Sequence, residues 1–457
     1  MNFSLPLTSA LWQKTKSFLK SPFFLFWVGI SIPYLLWFLV FYPAFMSADS
    51  LYQWEQAKTL MMTNDHPYIS ILYLVPFERL THSPGIVSLF QLLTTSALFA
   101  AGFALAWKKR VQKWIIILFA ILAGLCIPIG VYNLTIWKDI PFSIALVALA
   151  FFIAKKSLDS DWSKFDIVFL IVLSIGSIFL RHNGLVYILF LPLLVFFCFK
   201  GKIRWLFPAI LIPLFCFFQW ILPTMMNVKD MDKDFRFSPL LLVNMNFYKE
   251  QPQAVITNET KIMLETVIPR EDILKFISPV SLKWFYTSQH INWQFLRSDE
   301  FWRKLWHESW TYNIPQNMHF FLADGLNRFF VSTFGGGLID YPFLDKNDFG
   351  FSTDSFFTFL REKGIFMLDG IKAIPQVRLL IWNAFIPFLT LLILFIDSIY
   401  KRKKHFLIFA GILLFQFPVM FLLNPSDNFR YFYFYLLAFF ITIPLYLIKK
   451  EGKKIED

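Results

Sequence analysis

Cysteine is almost absent from this chain. Its 3 cysteines in 457 residues, Cys126, Cys198 and Cys216, all fall inside apolar runs, so no disulfide framework, zinc spacing or redox pair can be built from them. Charge is thin as well: Asp, Glu, Lys and Arg make up 16% of the residues, a small share for a chain with a solvated surface. No internal repeat and no low-complexity tract is visible, which excludes solenoids and disordered arrays. Gly335-Gly336-Gly337 lacks both a preceding strand and a following Gly-Lys-Ser/Thr, so it reads as a turn and not as a phosphate loop. The apolar runs are continuous and do not alternate in segments of about ten residues, which argues against a β-barrel.

What the chain has in excess is apolar side chains. It is 57% hydrophobic with 59 phenylalanines and a mean hydropathy of +0.54, too apolar for a soluble globule. Runs of roughly 17–25 apolar residues can each cross the hydrocarbon core as a helix. Ten are read, near 22–42, 84–106, 114–132, 140–154, 166–180, 184–199, 205–223, 379–397, 405–423 and 430–448, the fourth and fifth being short. The expected fold is an all-α polytopic membrane protein with about ten transmembrane helices, an interfacial first outer loop and a small, mostly helical extracytoplasmic domain. The first run is too long for a signal peptide and is followed by many others, so it is expected to be an uncleaved anchor.

Basic residues give the expected orientation. Lys14, Lys16 and Lys20 precede the first run, and alternate loops carry Lys108-Lys109-Arg110, Lys155-Lys156, Lys200 to Arg204 and Lys401 to Lys404; the tail adds Lys449, Lys450, Lys453 and Lys454. The opposite loops hold only Lys58, Arg79, Lys138, Arg181 and Arg430. An even number of spans with both termini cytoplasmic satisfies every loop. The net charge of +12 therefore marks a rim facing acidic lipid headgroups. A nucleic-acid partner is not expected.

Three parts follow: a membrane domain over 1–223 with a first outer loop at 43–83, an extracytoplasmic domain over 224–378, and membrane spans with a basic tail over 379–457. In the first outer loop Ser47 is placed to cap a helix running through Leu51, Tyr52, Trp54 and Ala57 to Leu60, with Asp49 in its first turn. His66-Pro67 is expected to break that helix, after which Ile69 to Val75 dips back toward the membrane. In the extracytoplasmic part, Asp299 to Trp310 reads as an amphipathic helix with Phe301, Trp302, Leu305, Trp306 and Trp310 on one half-circle. It would lie in the membrane interface or against the domain core.

Four polar signatures fall between the spans, and the topology puts all of them on one side. They are Ser47-Ala48-Asp49-Ser50 with Asn64-Asp65-His66-Pro67, then Trp137-Lys138-Asp139, then Arg181-His182-Asn183, then Asp427-Asn428-Phe429-Arg430. Charge at a membrane boundary is costly unless it anchors, pairs or reacts. Asp49 can take a proton from an acceptor hydroxyl; the plainer reading is a carboxylate that complements a helix dipole, worth about 0.3–1 kcal/mol. Asp65 supplies a second acid and His66 an imidazole. Metal binding there lacks a third close ligand at standard spacing, so no cofactor is assigned and a divalent cation stays an open alternative. Lys138 beside Asp139, and Arg181 beside His182, suit a phosphate or diphosphate, or are snorkelling anchors. Arg430 adds a further cation or forms an ion pair with Asp427.

These motifs resemble the GT-C class of integral-membrane glycosyltransferases, and Ser47 to Trp54 with Asn64 to Pro67 look like a bacterial branch of it. Trp137-Lys138-Asp139, Arg181 to Gly184 and Asn428 to Tyr431 look like further signatures of that branch. The resemblance covers most of the membrane part, and 224–378 adds little to it. It implies a polyprenyl-phosphate-linked sugar donor, transfer outside the cytoplasm to a glycan, lipid or polymer acceptor, and a site at the bilayer surface. It casts Asp49 as the catalytic acid and His66, Lys138 and Arg181 as donor-phosphate contacts. Ser50 stands where paired-acid branches carry a second acid, which departs from a metal-dependent pattern. Competing readings are a lipid-linked polysaccharide polymerase or ligase, leaning more on Arg181 and His182, and a lipid-linked glycan flippase. The last expects charge at mid-membrane depth or broken helices; the charges cluster at helix ends, although Pro128 and Gly130 interrupt the third run.

Overall fold

A computed structural model describes residues 15–159, 161–230, 238–278, 288–334, 347–351, 356–424 and 428–449. Helices occupy all ten of the apolar runs. Among the described residues 7 are long and apolar enough to cross a membrane, or up to 8 with the bent pair Lys113–Gly124 and Ile127–Asn133 taken as one span. His182–Cys198 is shorter, and so is Lys164–Phe179 at 16 residues. The fourth helix is longer than the apolar run alone, Asp139–Leu158, because Lys155 and Lys156 continue the helix and Lys156 ends 2.7 Å from Asp166. Apolar stems can run along the bundle while the ammonium groups stay at its edge.

Local sequence sets where the spans begin. Ser21 caps the first helix by accepting from the Phe24 N–H, with Pro22 at the first position, and Ser83 with Pro84 repeats the device. Between Gly124 and Ile127 the third run bends by 51°, just where Pro128 follows Cys126. The helices Asp139–Leu158, Phe429–Tyr446 and Pro84–Lys108 form the centre, with 72, 72 and 61% of their most apolar stretch buried. Ile203–Met225 (11%) and Pro22–Val40 (17%) form the periphery and present apolar side chains outward, as a lipid-facing surface requires. Polar contacts join spans where no hydrophobic driving force can: Ser31 meets Ser96 at 2.8 Å and the Tyr34 hydroxyl donates to the Ala123 carbonyl at 2.6 Å.

The 238–278 and 288–333 stretches contribute short helices that share a separate core, including Leu241, Phe247, Leu264, Phe301 and Leu305. The Asp299–Glu308 helix runs into a π-helical turn, Ser309–Asn313, that contains Trp310. Its tryptophans do not act together: Trp302 is buried in the core, whereas Trp306 and Trp310 are exposed. A helical wheel gives the half-circle, but the neighbouring helices decide which part of it is covered. Gly335-Gly336-Gly337 lies outside the described residues.

The 43–83 segment also departs from expectation at one point. The helix that Ser47 caps is Ala48–Thr59, and it stops at Leu60 in the left-handed conformation, well before His66-Pro67. Pro67 instead precedes a second helix, Tyr68–Thr81. His66 therefore does not sit on a helix C-terminus; it is carried on the connection between two helices.

Candidate functional site

Two isolated bridges, among the described residues, tie the 43–83 segment to other parts of the chain. Phe45 pairs with Thr135, through Phe45 N–H to the Leu134 carbonyl at 2.9 Å and Ile136 N–H to the Phe45 carbonyl at 3.1 Å. Thr63 pairs with Lys229 in the same way. The first bridge brings Ser47 to Trp137, whose indole N–H donates to the Ser47 hydroxyl at 2.9 Å. Ser47 and Ser50 complete a capping box, so the backbone of Asp49 is fixed in the first helical turn while its side chain stays 47% exposed.

The Trp137-Lys138-Asp139 turn opens the central Asp139–Leu158 helix. The Asp139 side chain is only 2% exposed and pairs with Arg181 at 2.8 Å and Arg430 at 3.8 Å. Arg430 also reaches Asp49 at 3.6 Å. Burial of a carboxylate is costly unless it is paired, and two guanidinium groups provide that pairing. Aromatic faces support both: Arg430 lies 4.8 Å from the Trp137 ring centroid, and Arg181 lies 4.8 Å from that of Tyr431. Asn428 accepts from the Arg430 backbone N–H at 3.1 Å and starts the short turn that leads into the last central helix. Asp427 lies outside the described residues; among the described residues the carboxylates that meet Arg430 are Asp49 and Asp139, from distant segments.

Arg181 is held extended between the Lys164–Phe179 helix and a 3-10 turn, His182–Val186. Gly184 makes this turn possible, because a Cβ there would come within 2.3 Å of the Ser177 carbonyl oxygen. The His182 ring faces the backbone of Asn64 and Asp65. Lys138 completes the cluster, with its Nζ 2.5 Å from His66 Nδ1. Burial, then the Lys138 and Arg430 charges, push the His66 imidazole down to about 2. It is thus neutral and accepts from the ammonium through Nδ1. Burial pushes the Lys138 amine down to about 8, with Asp139 opposing.

Asp49, Lys138, Asp139, Arg181 and Arg430 form one ionic cluster, with His66 on its rim. The cations outnumber the carboxylates by one, which leaves room for an anion. Asp65 sits to one side, accepting from Thr63 Oγ1 at 3.1 Å and the Tyr52 hydroxyl at 3.4 Å. A cavity of about 500 Å³ adjoins the cluster, with Arg181 and His182 in its wall together with Asn64, Tyr68 and Trp220. Trp220 belongs to the peripheral Ile203–Met225 helix and is 60% exposed, so one wall of the cavity belongs to the lipid-facing surface.

Asp139, expected from the sequence to contact a ligand, is seen to pair with two arginines, Arg181 and Arg430. Sequence reasoning gave no role to Trp137, Tyr431 or Tyr52. The signal for the first two was present, since each is an aromatic residue next to a cation in its motif. Among the described residues no group of three His, Cys, Asp or Glu side chains is placed to hold a metal ion. Comparison with protein-family models, curated proteins and solved structures finds no match to this chain.

Proposed function

We propose that this chain is a GT-C-type glycosyltransferase that moves a sugar from a polyprenyl-phosphate donor to a cell-envelope acceptor. In this reading ten spans carry both termini on the cytoplasmic side, the 224–378 part lies outside, and the ionic cluster faces outside. The observation that carries it is the meeting of Asp49, Lys138, Arg181 and Arg430 at one end of the bundle, beside a cavity with a lipid-facing wall. A prenyl tail needs lipid, a phosphate needs cations, and a sugar needs access to water. All three lie within one neighbourhood here.

The acceptor hydroxyl oxygen attacks the anomeric carbon, and the bond from that carbon to the phosphate oxygen breaks with its electron pair leaving on the phosphate. Asp49, the most accessible carboxylate of the cluster, takes the hydroxyl proton. Lys138, Arg181 and Arg430 stabilise the departing polyprenyl phosphate. Asp139 is a positioning residue, since it holds both arginines.

The test is transfer of radiolabelled sugar from polyprenyl-phosphate donors to membrane extracts, comparing wild type with Asp49→Asn. Loss of about 10²–10⁴ in rate, with the melting temperature little changed, is the expected result. A folded variant working at the wild-type rate removes Asp49 from the mechanism. No transfer by intact wild type from any such donor overturns the class.

A further inference from the structure

The end of the bundle away from the ionic cluster carries a second cavity, of about 700 Å³. Three central helices define the two ends. Asp139 and Arg430 begin two of them at the cluster, and the loop after Lys108 and the segment after Tyr446 leave at the other end. Pro84–Lys108 has 25 residues, so the ends lie about 36 Å apart at a rise of about 1.5 Å per residue. That is roughly the thickness of a bilayer's hydrocarbon core.

The lining of this cavity combines Lys108, Arg110, Gln112 and Lys449 with the apolar side chains of Val111, Ile115 and Leu447. Lys109 also lines it and lies 3.9 Å from Asp159. The turn that shapes it is a Schellman motif: Val111 N–H donates to the Ala106 carbonyl at 3.0 Å and Arg110 N–H to the Trp107 carbonyl at 3.1 Å. Arg110 holds the left-handed position at φ 58, where glycine is the unstrained choice. A cation occupies that place in spite of the backbone. Charge converging beside an apolar wall at the bundle's end matches the two halves of a lipid: an anionic headgroup and the start of its acyl chains.

We propose that this cavity seats the phosphodiester headgroup of an anionic phospholipid, with Lys108, Arg110 and Lys449 around the phosphate and the acyl chains starting along Val111, Ile115 and Leu447. A free phosphate shares the headgroup's charge but would make no use of the apolar wall. A zwitterionic lipid shares the chains but its positive group opposes the cations.

Native mass spectrometry of the full chain in detergent reads this directly, with phosphatidylglycerol, phosphatidylcholine and inorganic phosphate as probes. Wild type is expected to retain phosphatidylglycerol in preference to phosphatidylcholine, and millimolar phosphate is expected not to displace it. The triple variant Lys108→Gln, Arg110→Gln, Lys449→Gln is expected to lose about a hundredfold in phosphatidylglycerol affinity, at about fivefold per cation. If the triple variant does not fold, Lys449→Gln alone, beyond the last described helix, is expected to show about a fivefold loss. Equal retention by wild type and a folded variant overturns the site. Displacement by millimolar phosphate overturns the lipid as its occupant.

Discussion

Replacing Asp139 by Asn removes one charge and almost no volume, so its effect isolates the electrostatics of the cluster. Asp139 is 2% exposed and Arg181 11% exposed, and they lie 2.8 Å apart. Arg430, 19% exposed, is the second partner at 3.8 Å. Removing one side of a buried ion pair typically costs about 3–5 kcal/mol, because the remaining charge is left without compensation. Two features lower that figure here. The Asn amide still offers Arg181 a carbonyl acceptor, and Arg430 keeps Asp49 at 3.6 Å, although a half-exposed partner contributes only about 0–1 kcal/mol. A loss near 3 kcal/mol is therefore expected for Asp139→Asn. The assay is denaturation of the detergent-solubilised protein for wild type, Asp139→Asn, Arg181→Gln and the double variant. In the double variant neither charge is left alone, so its cost should fall short of the sum of the single costs by about 2 kcal/mol. Additive single costs, or an Asp139→Asn protein within about 0.5 kcal/mol of wild type, would refute the assignment of Asp139 as the group that holds the arginines.

The Lys138 ammonium is charged below about 8 and neutral above it, so affinity for an anionic donor should fall as pH rises through that value, and Lys138→Arg should extend the plateau upward; donor KM against pH decides. Stability moves the other way, because the folded amine lies below its ordinary value of 10.5: between about 8 and 10.5 the unfolded chain binds more protons, and the Lys138 contribution to stability rises across that window. Gly184→Ala forces a Cβ to within 2.3 Å of a backbone oxygen, and a melting curve should show a loss of about 1–3 kcal/mol together with weakened donor binding. Trp137→Phe keeps an aromatic face for Arg430 but deletes the 2.9 Å donor to Ser47; a stability loss of about 0.5–1.5 kcal/mol is expected, and no loss would mean that the Ser47 contact does not hold the loop.

Helices on the ten apolar runs were legible because an apolar helix announces itself in consecutive residues, although among the described residues 7, or up to 8, are long and apolar enough to cross a membrane. The Ser47 cap and the position of Asp49 were legible for the same reason, since a capping box spans four neighbours. The His66 connection was misread, because nothing local signals that Leu60 turns left-handed. Which acid meets Arg430 was not legible at all. Asp427, the neighbour in sequence, lies outside the described residues; Asp49 and Asp139 arrive through helix packing across hundreds of residues. The fourth run was drawn short because Lys155 and Lys156 ended the hydropathy window without ending the helix. Charge marks the limit of an apolar run; it does not by itself mark the limit of a helix.

The pairing of Asp139 with Arg181 and Arg430 has a consequence for how the protein is made. Chains emerge from the ribosome N-terminus first, so the helix carrying Asp139 reaches the membrane long before Phe429–Tyr446 does. Arg181 can neutralise the carboxylate early, but its own side chain then waits for the Tyr431 face. Until the last central helix arrives, the nascent protein has an incomplete knot of charge at the edge of the bilayer. A product lacking residues from 429 onward would leave Asp139 with Arg181 as its ionic partner and Arg181 without the Tyr431 face. Completion of the ionic cluster thus waits on the last segment of the central bundle.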